Sequence, residues 1–401
     1  MRNWRGVSAA MFAIAWGGNE FTPLLVFYKS EYELSGPTVD VLLFAYVLGM
    51  IPALLIGGPL SDRFGRRPIM RPAALIAAAG SLVLAAAADQ VTFLAVGRIL
   101  CGIAIGLAMA VGTSWIKELS VDNGAKRAAM SLTAGFGVGA GLAGVLAEWG
   151  PWPHVLSYAL NAGVCLLGAV WVWNVPETRE RATSPARLRD DLKIPSLGHR
   201  RFLYVVVPLA PWVFGAAIGC QAILPTLMAP KVGGAPMAFA ALISVVTLSC
   251  GFGIQALARR IDRPDSARAS QVALLLLVAG MALAALASSI LTIWAVLVAA
   301  VVLGAGYGIA LVAGLSEVQR IAQPGDLAGL TAVYYALTYL GFAVPATLAY
   351  LHDYIPGVTY PWMFGFGAVA AAATLAMISR RSRRDLPFAS PAPAPLTSAQ
   401  L

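Results

Sequence analysis

Long apolar runs separated by short polar loops cover most of this chain. A helix needs about 20 apolar residues to cross a bilayer. Runs of that length lie near 6–28, 38–60, 69–88, 91–116, 127–148 and 154–175. A second set lies near 202–228, 236–258, 269–289, 291–315, 327–350 and 359–379. The pattern therefore predicts twelve transmembrane helices, six on each side of a polar stretch.

Composition agrees with a membrane protein. Of the 401 residues, 59% are hydrophobic and only 12% are charged, whereas an ordinary soluble domain carries about 25% charged residues. The first run follows Arg2 and Arg5, as in a signal peptide, but it continues through Phe27, so we interpret it as the first span. The four cysteines lie inside apolar runs without a C-x-x-C pair, which indicates packing residues.

Basic residues are distributed unevenly between the predicted loops. If both termini and residues 176–201 share one side, that side carries all but three of the 28 Lys and Arg residues. The exceptions are Lys29 and Lys231 in loops of the other side, and Arg98 inside a span. Cytoplasmic loops attract Lys and Arg, so we expect a multi-pass protein of the cell (inner or plasma) membrane with both termini cytoplasmic. The net charge of +9 reflects this topology rather than nucleic-acid binding.

The polar stretch and an internal repeat indicate two halves. Residues 176–201 hold 11 charged side chains, and we interpret them as a cytoplasmic linker. It would separate an N-terminal six-helix bundle (1–175) from a C-terminal one (202–380), which is followed by a tail (381–401) that we predict to be cytoplasmic and disordered. The segments Gly17–Pro23 and Gly219–Pro225 share a glycine, an amide and a proline. In repeats of this kind, binding sites lie between the repeats near the midplane.

The loop after the second run carries the most specific motif. It reads Gly58-Pro59-Leu60-Ser61-Asp62-Arg63-Phe64-Gly65-Arg66-Arg67-Pro68, and it resembles the signature loop of the major facilitator superfamily, G-x-L-x-D-R-x-G-R-R/K. The six-plus-six layout extends the resemblance over the whole chain. The resemblance implies an all-α membrane protein with twelve transmembrane helices in two pseudo-symmetric six-helix bundles.

In that family the Asp of this loop faces a helix N-terminus in the other half. Gly58, Asp62, Arg63, Gly65 and Arg66 would then form a cytoplasmic gate. Glu118, at the end of span four, is the candidate partner of Arg63 or Arg66. The alternative is a solvated charge cluster that only sets topology.

Two charges lie inside predicted spans. A charge at the centre of a membrane helix costs about 2.5–3.5 kcal/mol on insertion scales, so Glu20 and Arg98 are expected to face a cavity and to pair. They lie at similar depths, and in the family their two spans line the central cavity. We predict a pair whose partner changes when a proton or a cationic substrate arrives; the alternative is a static ion pair. Asn19 and Gln221 are candidate hydrogen-bonding groups of the cavity, and Trp16 a candidate part of its wall.

Glycine patterns carry further resemblance. Leu94, Arg98, Gly102 and Gly106 fit a span-four pattern that the family associates with proton coupling. The five glycines between 135 and 144 resemble the antiporter signature of span five, with Ala140 and Ala143 in place of Pro and Gly. Close helix packing is an equally good reading of both patterns.

The sequence contains no G-x-x-x-x-G-K-[ST] loop and no catalytic or metal-binding motif. We therefore expect no catalytic residues, no metal and no cofactor, and no enzyme. The resemblance implies a secondary active transporter, and we expect proton-coupled efflux of a small amphipathic organic compound by alternating access. The chain would act as a monomer, with the substrate, protons and the lipid bilayer as its partners and no nucleic acid. The alternatives are proton-coupled uptake or export of a polar metabolite (a sugar, amino acid or organic acid) and a passive channel.

Overall fold

The computed structural model describes residues 3–120, 122–179, 194–323, 325–384 and 386. The first half contains α1 (Trp4–Asn19), α2 (Phe21–Ser30), α3 (Gly36–Phe64), α4 (Arg67–Ala87), α5 (Val91–Leu107), α6 (Thr113–Glu118), α7 (Gly124–Trp149) and α8 (Pro153–Trp173). The second half contains α9 (Val207–Met228), α10 (Pro236–Ile261), α11 (Arg268–Ile290), α12 (Ile293–Ile321), α13 (Leu327–Tyr339), α14 (Ala343–Tyr354) and α15 (Tyr360–Arg381).

Twelve spans follow from these helices. In the described ranges, eleven helical stretches are long and apolar enough to cross a bilayer. Three of them are composite. A π-helical turn at Ala108–Gly112 joins α5 to α6, a 3-10 turn at Leu340–Phe342 joins α13 to α14, and α9 lies between a π-helical turn at Phe202–Val206 and a 3-10 turn at Ala229–Lys231. Helices α1 and α2 together form the first span. The predicted all-α fold with twelve transmembrane helices is confirmed.

Two spans are interrupted close to a proline. Proline has no backbone N–H and its ring clashes with the preceding turn, so it interrupts a helix three or four residues before itself. Pro23 removes the donor for the Asn19 carbonyl, and the first span breaks at Glu20. Pro345 removes the donor for the Gly341 carbonyl, and span eleven passes through its 3-10 turn at that point.

The apolar interior consists of two cores. One contains buried side chains from Val7 to Val175, together with a few from the second half. The other runs from Phe202 to Ile378. The end of the linker binds the second half, where Ser196 donates its hydroxyl to the Ile321 carbonyl at 3.1 Å. The predicted domain limits stay predictions, and residues 180–193 and most of the tail lie outside the described ranges.

Alternating spans give the molecule two faces. We call the face that carries residue 3, residues 194–201 and residues 382–384 the terminal face, and the opposite one the far face. Near the far face the halves are in contact, because α7 packs on α10 and α3 packs on α13 and α14. A side chain at Gly144 of α7 would collide with Ala241 and with the Met237 carbonyl of α10.

Candidate functional site

A cavity of about 500 Å³ lies between the two halves. Its walls come from α1, α3, α7, α9, α10, α12 and α13. Lining residues near the terminal face, such as Ala125, Arg259 and Gln319, are exposed, whereas Asn19 and Gln221 near the midplane are buried. The cavity is therefore open at the terminal face and closed towards the far face.

Neutral amides supply the polar groups at the inner end of this cavity. The structure brings Asn19 and Gln221, the matching positions of the two repeats, to one cavity and adds Gln255. Asn19 donates to the Phe136 carbonyl at 3.4 Å and accepts from the Thr22 hydroxyl at 3.0 Å. Its orientation is thus fixed by the protein, as a group that positions a ligand requires.

Aromatic side chains form much of the remaining wall. They are Tyr46, Phe136, Phe214, Tyr307, Tyr335, Tyr339 and Phe342. The ring centroids of Phe214 and Tyr339 are 4.6 Å apart, and Tyr46 of the first half lies 6.3 Å from Phe342 of the second. Among the described lining residues, Arg259 at the mouth is the one charged side chain. The cavity fits an uncharged or weakly charged molecule with a flat apolar part.

Glu20, Arg98 and Trp16 do not line the cavity, contrary to their predicted place. Glu20 and Arg98 are fully buried inside the first half, and Trp16 is 8% exposed. Trp16 packs edge-on against Phe12, and its carbonyl contacts Gly139 of α7. Sequence depth locates a residue along the membrane normal only, and the break at Glu20 turns this acid towards α8.

The predicted direct pair between Glu20 and Arg98 is absent from this conformation. Glu20 accepts from the Ser157 hydroxyl at 3.1 Å. Arg98 donates to the carbonyls of Leu42 and Leu43 at 3.4 and 3.3 Å. In the described ranges no carboxylate lies within ion-pair distance of Arg98, although Glu20 is near enough to act on it electrostatically.

Tyr46 connects this buried charge to the cavity. The Arg98 guanidinium lies between two rings, 4.7 Å from the centroid of Phe21 and 4.6 Å from that of Tyr46. The Tyr46 ring also lines the cavity. The Tyr46 hydroxyl, Glu20 Oε1 and Arg98 Nη1 are buried without a hydrogen-bond partner among the described residues. Because buried polar groups are normally paired, unpaired ones in one region indicate a functional site.

At the terminal face, the signature loop forms an ion network within the first half. Arg66 contacts Glu118 at 2.6 Å and Asp62 at 2.9 Å. Its guanidinium also donates to the Ser61 hydroxyl. Asp62 lies 3.9 Å from Arg179 as well, and its side chain is 47% exposed. Within the described residues, this conformation, open at the terminal face, shows no contact of Asp62 with a helix N-terminus of the other half, which is the contact that the family's pattern implies.

The other predicted gate residues lie in the same loop. Gly65 has a φ of +97°, and a side chain there would meet the Glu177 carboxylate. A side chain at Gly58 would meet nothing within 4 Å. Arg63 lies partly buried in the last turn of α3. Only Gly65 therefore requires glycine in this conformation.

Glu177 holds this loop at the start of α4. Its carboxylate accepts from the backbone N–H groups of Arg66 and Arg67 at 2.9 and 2.8 Å, and from those of Thr178 and Arg179. Burial raises the pKa of the Glu177 carboxyl, and these four donors outweigh that effect, so the pKa lies below its usual value. The carboxylate thus stays charged and caps the helix.

The second half carries a matching network without the signature glycines. Arg320 contacts Asp262 at 2.5 Å and Glu317 at 3.2 Å. Glu317 also pairs with the fully buried Arg201 at 2.5 Å. The second half thus keeps the acid–arginine pairing of the first half, but Arg201 and Arg320 supply the arginines from positions outside the repeated loop.

Three residues of the site escaped the sequence analysis. Tyr46 is an ordinary aromatic in an apolar run, and only its contact with Arg98 distinguishes it. Glu148 accepts from the backbone N–H groups of Met237 and Ala238 at 2.8 and 3.2 Å, across the two halves at the far face. Glu177 lies in the predicted linker, and its sequence context gave it no role. The sequence feature that could have identified Glu148 is an acid at the end of one span. Pro236, the first residue of a helix in the other half, marks the helix N-terminus that it caps.

The described ranges contain no candidate metal site. No group of three or more His, Cys, Asp or Glu side chains is placed to hold a metal ion there.

Known proteins resemble this chain in sequence and in fold. An arabinose-proton symporter of Bacillus subtilis is 29% identical over 42% of this chain and 38% of its own length. The matched segment thus spans little more than a third of that relative. A chloramphenicol resistance protein of Pseudomonas aeruginosa is 26% identical over 80% of this chain and 77% of its own.

A solved structure of a POT family transporter in complex with 5-aminolevulinic acid shares the fold. Its TM-score is 0.76, with 95% of this chain and 96% of that chain covered at 14% identity. A sequence model described as Major Facilitator Superfamily matches residues 7–346. The chain, with its twelve spans and its cavity between two halves, belongs to the Major Facilitator Superfamily.

Proposed function

We propose that this protein exports a small amphipathic organic compound in exchange for protons, by alternating access. The observation that carries the proposal is the cavity between the halves, with aromatic walls, the buried neutral amides of Asn19 and Gln221, and the amide of Gln255 one turn from Arg259. Ligand pockets that combine apolar walls with a few placed polar groups suit molecules of mixed polarity. All elements of the site belong to one chain, which supports a functional monomer.

The buried charges of the first half support coupling to protons. Glu20 lies in a low-dielectric interior, where a carboxylate needs either a proton or a nearby cation. Arg98 is the other buried charge of this half, without direct contact to Glu20, and Tyr46 lies against Arg98 on one side and the cavity on the other. A substrate that moves the Tyr46 ring would change the environment of Arg98, and with it the proton occupancy of Glu20.

Topology supports export. With the terminal face in the cytoplasm of a cell whose inner or plasma membrane holds the protein, the cavity is open to the cytoplasm. An exporter takes up its substrate from that side. The similarity to a chloramphenicol resistance protein, over 80% of this chain, agrees with this direction.

Transport of a polar metabolite such as a sugar is the second candidate. The amides of the cavity and Arg259 at its mouth favour it, and an arabinose-proton symporter is similar to part of this chain. A passive channel is the third, but the closed contact of α7 with α10 at the far face argues against a continuous pore.

The test is proton flux in proteoliposomes that contain a pH-sensitive dye. We expect chloramphenicol, used as an amphipathic aromatic probe, to cause proton movement, and we expect arabinose to cause none. Gln221→Ala should weaken the apparent affinity about fivefold, since a hydrogen bond to a buried ligand contributes roughly 1 kcal/mol. Gln90→Ala, at an exposed amide outside the cavity, is the matched control.

Other outcomes decide between the candidates. Proton flux with arabinose but not with chloramphenicol would contradict the proposal and favour sugar transport. Substrate movement that is independent of the proton gradient would favour a channel.

A further inference from the structure

A second pocket, of about 590 Å³, lies at the terminal face beside the last helix. One wall is the loop between α10 and α11, and the other is the end of α15 with the residues that follow it. Its basic members are Arg263, Arg268, Arg380, Arg383 and Arg384. All five are exposed, and the pocket shares no lining residue with the cavity between the halves.

Among the described residues, the acids near this pocket do not balance its positive charge. Asp265 is the one acid among the lining residues, and it accepts from the Ser266 hydroxyl at 3.2 Å. Within the part of the chain that the structure describes, no carboxylate lies within ion-pair distance of the five arginines. Elsewhere on this face, Arg66, Arg201 and Arg320 each pair with an acid. The pocket thus concentrates positive charge that no described acid pairs with.

The two walls are fixed to each other and to the protein interior. The fully buried Arg201 donates to the carbonyls of Ser382 and Arg384 at 3.2 and 3.1 Å. The Ser382 hydroxyl accepts from the backbone N–H of Ala267 at 2.9 Å. These bonds hold the chain after α15 against the loop before α11, so the arginines converge on a built pocket rather than on a free chain end.

The surroundings of the pocket identify its ligand. On the half nearer the pocket, helix α15 presents apolar side chains outward, with Val369 66% and Met377 40% exposed, as a lipid-facing helix does. The pocket lies at the terminal-face end of this helix, at the level of the lipid headgroups. Guanidinium groups bind phosphate oxygens through paired hydrogen bonds, and basic pockets at this level of membrane proteins hold anionic headgroups.

We propose that this pocket binds the phosphate groups of an anionic phospholipid, with preference for a headgroup that carries two phosphates. Five arginines exceed what one phosphate can engage, and the apolar face of α15 accommodates the acyl chains. The soluble source of the same chemistry is a free di-phosphate anion, which would not use that face.

The experiment measures lipid binding to the detergent-purified full chain by native mass spectrometry. Cardiolipin is the probe with two phosphates, and phosphatidylcholine is the reference. We expect cardiolipin to bind more tightly, and Arg380→Gln/Arg383→Gln to weaken it about 30-fold, since each basic residue near an anionic headgroup contributes roughly a factor of five. Thermal unfolding of the variant in detergent checks that it remains folded.

The matched control is Lys117→Gln/Arg260→Gln, which removes the same charge from exposed positions of the same face. It should leave the affinity within about twofold. Equal losses in both double variants, or equal binding of the two lipids by the unmodified protein, would overturn the proposal. If inorganic pyrophosphate binds and cardiolipin binds no more tightly than phosphatidylcholine, a lipid is not the ligand of this pocket.

Discussion

The Arg98 guanidinium is placed where a charge is costly, and its surroundings show how the fold tolerates it. Two rings cover its faces, and two carbonyls of α3 accept its hydrogen bonds. A cation on an aromatic face gains about 2 kcal/mol when it is desolvated. The charge is thus stabilised without an ion pair, which leaves the carboxylate of Glu20 free to exchange a proton.

Glu20→Gln tests that role at the scale of one residue. The amide is nearly isosteric and keeps an oxygen for the Ser157 hydroxyl, so we expect the fold and substrate binding to persist. It cannot carry a proton, and gradient-driven transport in proteoliposomes should fall to the level of empty vesicles. Glu31→Gln, at an exposed acid of the far face, should transport as the unmodified protein does. Full transport by Glu20→Gln would place coupling elsewhere.

Gly65 and Gly58 form a matched pair within one motif. Gly65→Ala forces an L side chain into a positive φ and against Glu177, which should cost about 1–3 kcal/mol of stability. Gly58→Ala meets open space inside α3 and should gain up to about 1 kcal/mol of helix stability. Thermal unfolding in detergent measures both. Similar melting temperatures for the two variants would contradict the strain at Gly65.

At the scale of elements, helix spans were predictable and helix faces were not. The bilayer imposes a length and an apolar content on each span, so the runs near 127–148 and 236–258 correspond to α7 and α10 within a few residues. Which way a side chain points depends on packing with distant helices. Glu20 therefore had the predicted depth but the wrong neighbours, whereas Asn19, one position earlier, faces the predicted cavity.

The glycines of α7 show the same limit. Gly135 and Gly139 lie against α1, and Gly144 lies against α10, so one glycine-rich stretch contacts both halves. Close packing accounts for these three positions. The antiporter resemblance of the stretch stays a prediction, because a shared glycine pattern does not distinguish a packing face from a coupling element.

Glu148 at the end of α7 caps the first turn of α10 and so ties the halves together at the far face. A carboxylate at a helix N-terminus contributes about 1 kcal/mol. Glu148→Gln should therefore raise the population that is open at the far face about fivefold. Spin labels on Glu33→Cys and Lys231→Cys, in a background without the four native cysteines, report the distance between the halves there. Glu31→Gln should leave that distance distribution unchanged.

The whole molecule combines a closed far face with an open terminal face, and each face has an acid suited to hold it shut. Glu148 is engaged with a helix N-terminus in this conformation. Asp62 is not; it shares Arg66 with Glu118 and is nearly half exposed. By the family's pattern Asp62 would reach the other half only when the terminal face closes. The state closed at the far face and the state closed at the terminal face would then be alternatives, as alternating access requires.

A double variant tests this exchange. Asp62→Asn should favour the open terminal face, because Glu118 still pairs with Arg66 in this conformation while the closed one loses its helix-capping charge. The spin-label distance at the far face should therefore shift towards the closed value in Asp62→Asn and towards the open value in Glu148→Gln. The two sites lie at opposite membrane faces and share no partner, so their effects should add, and the double variant should return close to the parent distribution. Shifts of the two single variants in the same direction would show that the acids do not act on opposing closures.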